Sequence, residues 1–387
     1  MPDYVCSACF EDEDLSAWIS RNGEHQRCDF CGRIDAPAVE FKGVSDFITA
    51  CIEKYWGRAV DQMPYETAEG GYIGGNTWDT YDLLRDEIAL SLPRDHKGKL
   101  FYALLHALPD ETWCDHDWTC LDLDQALLTS WESFCETVKH RRRFFFHSTG
   151  SDDVDSYTPA SLLATIASAS REMGLVREIE EGTSLWRART NLPSDRRELA
   201  SEYGTPPLEF ATQSNRMNPP GIPMLYVASS RRTAVMETRV TRADVGRWLA
   251  LKPLRVLDLR ELPAVPGLFS EVGRQRRLVL RFLHAFAADV MKPVERDERV
   301  HIDYLPSQVV TEFLRDFAFP GGRLDGIAYG STVHRQGWNV VLFAEPVHLG
   351  LQESNWRKVD PWLRFDGASA FSTESLSGFC GERGCRT

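Results

Sequence analysis

Four of the ten cysteines fall as Cys6-x2-Cys9 and Cys28-x2-Cys31, two pairs separated by 18 residues. That spacing offers four thiolates to one tetrahedral Zn2+, the pattern of a structural zinc ribbon. A second set of chemically capable side chains is spread through the C-terminal half. It comprises Arg187 in "LWRART", Arg216 in "RMNPPG", Tyr226 in "LYVA", Glu237 in "AVMETRV" and Ser331 in "YGSTVHRQGWN". Taken alone, each has a plain structural reading: an arginine at a strand end solvates, a helical glutamate faces water, a serine after glycine makes a turn. Cys114, His116 and Cys120 in "CDHDWTC" are metal-capable residue types, but without a second pair they are a weak set. Cys380 and Cys385 lie in a C-terminal tail without pattern.

The elements that must position these residues follow from composition and periodicity. With 387 residues, 43% hydrophobic and 11% aromatic, the chain has material for two cores or more. No apolar run approaches the ~20 residues of a membrane helix. "MPDYVCSACF" has neither the basic start nor the apolar centre of a secretion signal. The expectation is a cytoplasmic protein with no membrane partner. A net charge of −13 argues against sequence-independent nucleic-acid binding, which rests on phosphate-neutralising Lys and Arg.

Residues 1–41 are expected to form the zinc ribbon. Nine acidic against three basic residues give it the wrong sign for a finger that grips DNA, so it reads as a structural or protein-docking module. Residues 42–148 read as an all-α domain. "SDFITACIEKYWGRAVDQMP" places Phe47, Ile48, Cys51, Ile52, Tyr55, Trp56, Ala59 and Val60 at helical spacing, with Pro64 as the stop. "DQALLTSWESFCETVKHR" repeats the pattern, and the glycine-rich "AEGGYIGGNT" between them lacks the Lys-Ser/Thr of a phosphate cradle. Residues 149–182 read as a polar linker and a lead-in helix. From 183 to 352, short apolar runs read as strands, interrupted by helices near 272–291 and 303–318, which makes a mixed α+β domain. Residues 353–387 read as an irregular tail.

Taken in order, the C-terminal motifs resemble the RES domain. The first Arg, "RMNPPGIPMLYVAS", the Glu, "DYLPSQVVTEFLR" and "DGIAYGS" followed by "GWNVVLF" carry the resemblance over about 183–350. The arginine, glutamate and serine that give that family its name fall on Arg187, Glu237 and Ser331. The resemblance implies an ADP-ribosyltransferase-like fold acting on NAD+, by hydrolysis, phosphorolysis or transfer of ADP-ribose to a protein. It also implies a bacterial toxin or defence effector, with an antitoxin or other regulatory protein as partner.

The residue types suit that chemistry. Cleaving nicotinamide from ribose passes through an oxocarbenium-like centre, and a carboxylate beside the ribose stabilises that charge, which is the role expected of Glu237. Planar guanidinium groups suit the diphosphate, Arg187 first and Arg216 next. Tyr226 is placed to stack on nicotinamide or cap the ribose, and Ser331 to orient Glu237 or a ribose hydroxyl. Asn218, Gln308 and Asn339 are expected as further polar lining.

Small RES proteins are little more than the domain itself, whereas here the zinc knuckles and helical segment come first and resemble a HEPN-type N-terminal extension. That extension implies a rival chemistry. "KHRRRFFFH" offers Arg142-x4-His147, a pair of the kind HEPN ribonucleases use, with histidine as general acid or base. The plain reading is a cationic helix end followed by packing phenylalanines. The aromatic content also leaves room for a homo-oligomer.

Overall fold

The computed structural model describes residues 3–144, 151–293, 299–351 and 360–373. The chain divides into two compact units, residues 1–126 with 264–282, and residues 127–263 with 283–387.

In the first unit β1 (Tyr4–Cys6) pairs antiparallel with β2 (Ala38–Glu40), Val5 opposite Val39. Helix α1 (Glu13–Asn22) starts at Asp12, whose carboxylate accepts from the Leu15 amide, and Glu13 and Asp14 complement the helix dipole. Leu15 and Ile19, one turn apart, are its buried pair. Helix α2 (Phe41–Ile52) buries Phe41, Val44, Ile48, Cys51 and Ile52 as one stripe. It stops well before Pro64, because the Lys54 and Tyr55 amides turn back onto the Cys51 and Ile52 carbonyls.

The all-α expectation for 42–148 is thereby corrected. Trp56 enters β3 (Trp56–Arg58), the glycine-rich loop becomes the hairpin of β4 (Tyr65–Glu66) and β5 (Gly71–Tyr72), and β6 (Thr77–Asp79) follows. Beyond helix α3 (Lys99–Ala107) comes β7 (Thr112–Asp115), flanked by β3 and β6 in a three-stranded sheet. Its threonines and tryptophans favour strand over helix. Nor does packing break at residue 41: Val5, Ile19, Ile48, Leu104 and Trp113 share one core. A knuckle this small has too little apolar surface for a core of its own. Residues 264–282 complete that core with Phe269, and Gly267 N donates to Asp14 Oδ2 at 2.6 Å.

Helix α4 (Leu123–Glu136) and helix α5 (Pro159–Glu172) follow, the latter capped by Thr158 with proline at its first turn. The second unit is built on an eight-stranded sheet. In chain order its strands are β8 (Val176–Ile179), β9 (Ser184–Arg189), β10 (Leu225–Ala228), β11 (Arg242–Ala250), β12 (Leu254–Asp258), β13 (Gly326–Gly330), β14 (Trp338–Leu342) and β15 (Leu363–Ser372). In space the order is β15-β11-β9-β10-β14-β13-β12-β8, antiparallel except for β12–β13. Helix α6 (Arg231–Glu237) packs on one face through Ala234 and Val235, over Ala188, Ala228 and Val245. Leu185, Leu225, Val227, Trp248, Val340 and Leu342 form the core of the other face. Helices α7 (Arg274–Met291) and α8 (Leu305–Asp316) interrupt the strands as expected.

Two expected boundaries are corrected here. The stretch read as linker and lead-in helix also contributes β8, one edge of the sheet. The stretch read as irregular tail contributes β15, the opposite edge, paired with β11 from Arg242–Ser372 to Ala250–Leu363. "LRFDGASAFS" is rich in Gly, Ala and Ser, so its alternation is too weak to signal a strand.

At the end of β12, Asp258 is fully buried and accepts from Arg260 Nε at 2.8 Å and Nη2 at 2.7 Å, and from Arg177 Nη1 at 3.3 Å. Burial pushes its carboxyl up, but the Arg260 hydrogen bonds and the Arg177 charge outweigh this and hold it below the usual value. A depressed folded-state value stabilises above the unfolded value of ~3.9, and that stability is lost as pH falls through the folded one. Asp258→Asn is therefore expected to cost about 2 kcal/mol at pH 7, with the gap to wild type narrowing from pH 5 towards pH 2. Thermal melts across that range check it, and equal melting at pH 7 would refute it.

Candidate functional site

The four cysteines of the two knuckles come together. Their sulfurs all lie within 4.8 Å of one another, with Cys6–Cys31 at 3.5 Å, Cys9–Cys28 at 3.7 Å and Cys6–Cys9 at 3.8 Å. A tetrahedral zinc with Zn–S bonds of ~2.3 Å requires sulfur–sulfur edges of about 3.8 Å, so the donor set fits. All four are free thiols rather than disulfides. Local chain geometry makes the second knuckle: Gly32, at φ +74°, donates its amide to the Cys28 carbonyl at 2.9 Å. That left-handed turn suits glycine. Clustering drives the thiols apart in proton affinity, with hydrogen bonds from Cys6 and Cys9 pulling Cys28 down while bonding to Cys28 pushes Cys6 and Cys9 up. A divalent cation relieves that conflict by stabilising every thiolate.

No other metal-capable group occurs among the described residues. His116 uses both ring nitrogens, on Gln62 Nε2 at 3.3 Å and the Glu53 carbonyl at 2.8 Å, which removes it from a metal site with Cys114. Arg142 is exposed just past a helical turn, and His147 lies outside the described residues.

In the second unit a cleft of about 940 Å3 opens beside the sheet. This is at the upper end of the roughly 300–1,000 Å3 typical of ligand sites. β9 and β10 share a single paired position, Trp186 opposite Ala228, and the cleft takes residues from both strands. Arg187, Arg216, Asn218, Tyr226, Glu237 and Asn339 all line it.

Glu237, the last residue of α6, accepts from Ser331 Oγ at 2.7 Å and Asn339 Nδ2 at 2.6 Å. Both bonds fall on Oε1, so Oε2 has no hydrogen-bond partner among the described residues. Ser331 is fixed in turn, accepting from the His334 amide at 3.1 Å, and Thr233 Oγ1 holds the His334 ring at 2.8 Å. The loop is seated closely: a Cβ on Gly337 would lie 2.3 Å from Thr233 Oγ1.

Arg187 Nη1 donates to the Gly204 carbonyl at 2.7 Å, and no carboxylate pairs with it among the described residues. Burial and the neighbouring Arg189 both disfavour its charge. A guanidinium nonetheless stays protonated, so an anion bound there would gain a strong partner. Arg216 donates Nη1 to the carbonyls of Val290 and Lys292, and its guanidinium sits 5.8 Å from the Tyr304 ring.

Three expectations change in detail. The Tyr226 hydroxyl is already committed, donating to Asn218 Oδ1 at 2.7 Å and accepting from the Met217 amide at 3.2 Å, so it is not free to cap a ribose. The Asn218 amide donates to the Ile222 carbonyl at 2.8 Å and braces the turn. Gln308 does not line the cleft. Its Nε2 reaches Ser214 Oγ at 2.8 Å and the carbonyls of Asn215 and Asn218 at 2.7 and 3.2 Å, bolting the loop that carries Arg216 onto α8. Gln308→Ala leaves those acceptors unmet and is expected to cost ~1–3 kcal/mol, read by denaturant unfolding. A change below about 0.5 kcal/mol would count against the bolt.

Tyr329, Arg189 and Arg239 also line the cleft, beyond the residues the motifs point to. Tyr329 is a neutral phenol whose value is raised by burial first and the Glu237 charge second. A signal for Arg189 was available: Arg187 and Arg189 sit two apart on a strand, which puts them on one face.

Residues 184–360 match the family model for the RES domain, and residues 21–152 match that for HEPN/RES N-terminal domain 1. No curated protein and no solved structure matches the chain.

Proposed function

Starting from a chain that carries an RES domain behind a HEPN/RES N-terminal domain, we propose that it is an enzyme that cleaves the nicotinamide–ribose bond of NAD+. The observation that carries this reading is the Glu237 carboxylate, pinned through Oε1 by Ser331 and Asn339 with Oε2 left over, in the same cleft as Arg187. An RES domain points to NAD-related chemistry, and the cleft has the donors such a substrate needs.

The bond between ribose C1′ and the pyridinium nitrogen breaks, and its electron pair leaves with nicotinamide. Positive charge builds on the sugar, where a fixed carboxylate stabilises it without having to reorganise. Ser331 and Asn339 prevent Glu237 from swinging away, and Arg187 holds the diphosphate so that C1′ stays beside Glu237. The ring of Tyr226 offers an aromatic face to the leaving nicotinamide. Water then adds its oxygen to C1′ and releases a proton, giving ADP-ribose; a phosphate or protein acceptor would enter at the same position.

The test is incubation of purified protein with NAD+ and chromatographic analysis of products. Nicotinamide release is expected, and the partner product identifies the acceptor. Intact NAD+ after prolonged incubation with folded, zinc-loaded protein would overturn the reading.

A further inference from the structure

The cleft holds more positive charge than an NAD+ diphosphate calls for. Arg187, Arg189, Arg216 and Arg239 line it, and Glu237 is its one acidic lining residue among those described. The guanidinium hydrogen bonds of Arg187, Arg189 and Arg216 run to backbone carbonyls, and none of the four arginines is ion-paired among the described residues. NAD+ brings two diphosphate charges, and Glu237 is matched by the cation forming on the ribose. Two guanidinium groups are left with no anion to meet.

Strand register gives the surplus a position. Glu237 is held by Asn339, Asn339 stands opposite Ala228, and Ala228 stands opposite Trp186, so Glu237 belongs to the Trp186 end of β9. Arg187 comes next along the strand, and Arg189 lies on the same face roughly 7 Å further on. Both are pre-set. Arg187 is anchored by the Gly204 carbonyl and Arg189 by the Glu202 carbonyl at 2.8 Å, which leaves the rest of each fork available. The Glu202 carboxylate is itself taken up by Arg196.

Resting on the reading of Glu237 and Arg187 given above, we propose that Arg189 forms a second phosphate subsite. The cleft then takes a dinucleotide with a phosphate monoester on its adenosine ribose, NADP+, in preference to NAD+. The order Glu237, Arg187, Arg189 follows the order nicotinamide ribose, diphosphate, 2′-phosphate along that molecule. The monoester adds about two negative charges at neutral pH, and arginine is the usual partner for a 2′-phosphate.

The experiment compares nicotinamide release from NAD+ and NADP+ in phosphate-free buffer, for wild type, Arg189→Gln and Arg189→Lys. The kcat/KM for NADP+ is expected to exceed that for NAD+ at least tenfold (about 1.4 kcal/mol). The ratio should fall towards one in Arg189→Gln and fall several-fold in Arg189→Lys, which keeps the charge but loses the planar fork. Where Arg189→Gln does not fold, the wild-type and Arg189→Lys ratios decide. A wild-type ratio of one or less overturns the subsite. It is also overturned if inorganic phosphate raises NAD+ turnover in an Arg189-dependent way while the ratio stays at one, since the site then serves free phosphate. If neither dinucleotide loses nicotinamide, the proposed reaction fails, and calorimetry decides the subsite separately. Tighter binding of 2′-phospho-ADP-ribose than of ADP-ribose, lost in Arg189→Gln, upholds it; equal binding overturns it.

Discussion

Replacing Glu237 with glutamine is expected to reduce nicotinamide release by about 100- to 1,000-fold, the range seen when one pre-set electrostatic contact to a transition state is removed. The substitution keeps the side chain's shape and can still accept from Ser331 and Asn339, so the fold should survive. What it removes is the negative charge. Because that charge matters most when the sugar turns cationic, kcat should fall with kcat/KM, and substrate affinity should change little. Ser331→Ala provides a graded companion, since it loosens the carboxylate without neutralising it. Undiminished turnover in Glu237→Gln, with an unchanged melting curve, would remove Glu237 from its role.

Cys9→Ser is expected to eliminate about one zinc per chain and to unfold much of the first unit. Cys9 is fully buried and its sulfur lies against both Cys6 and Cys28. Structural zinc sites carry an apparent binding free energy of ~10–16 kcal/mol that is also folding free energy. The cysteines share a core with Leu15, Ile48 and Leu104, so the damage should spread beyond the knuckles. Elemental analysis gives the metal content, and limited proteolysis reports which segment opens. Wild-type metal content in Cys9→Ser would show that the four sulfurs do not form the site.

What the sequence revealed depended on distance along the chain. The two knuckles are local, with spacing set by ligand geometry, and they were legible outright. Arg187, Glu237 and Ser331 stand out only as an ordered set, because each residue alone has an ordinary explanation; the structure bonds Ser331 to Glu237 and puts Arg187 and Glu237 on one cleft. From sequence the Gln308 amide looks like cleft lining, since nothing local signals that Ser214 and two nearby carbonyls claim it. Strand β15 was missed because its small residues carry almost no alternation, and its place is fixed by the long ladder with β11. The sheet of β3, β7 and β6 is hidden for the opposite reason: Trp56 and the residues around it fit a helical period well, and pairing with the distant strand β7, Trp56 opposite Asp115 and Arg58 opposite Trp113, overrides it.

The detour of residues 264–282 has a consequence for biosynthesis. Phe269 belongs to the N-terminal core, yet it is encoded after most of the large sheet has been translated. A ribosome adding ~5–20 residues per second keeps that core waiting for many seconds with a gap where Phe269 belongs. The nascent N-terminal part is thus obliged to stay incomplete until the C-terminal part is well under way. Genetic dissection into two separately expressed halves would leave each with a missing or orphaned piece.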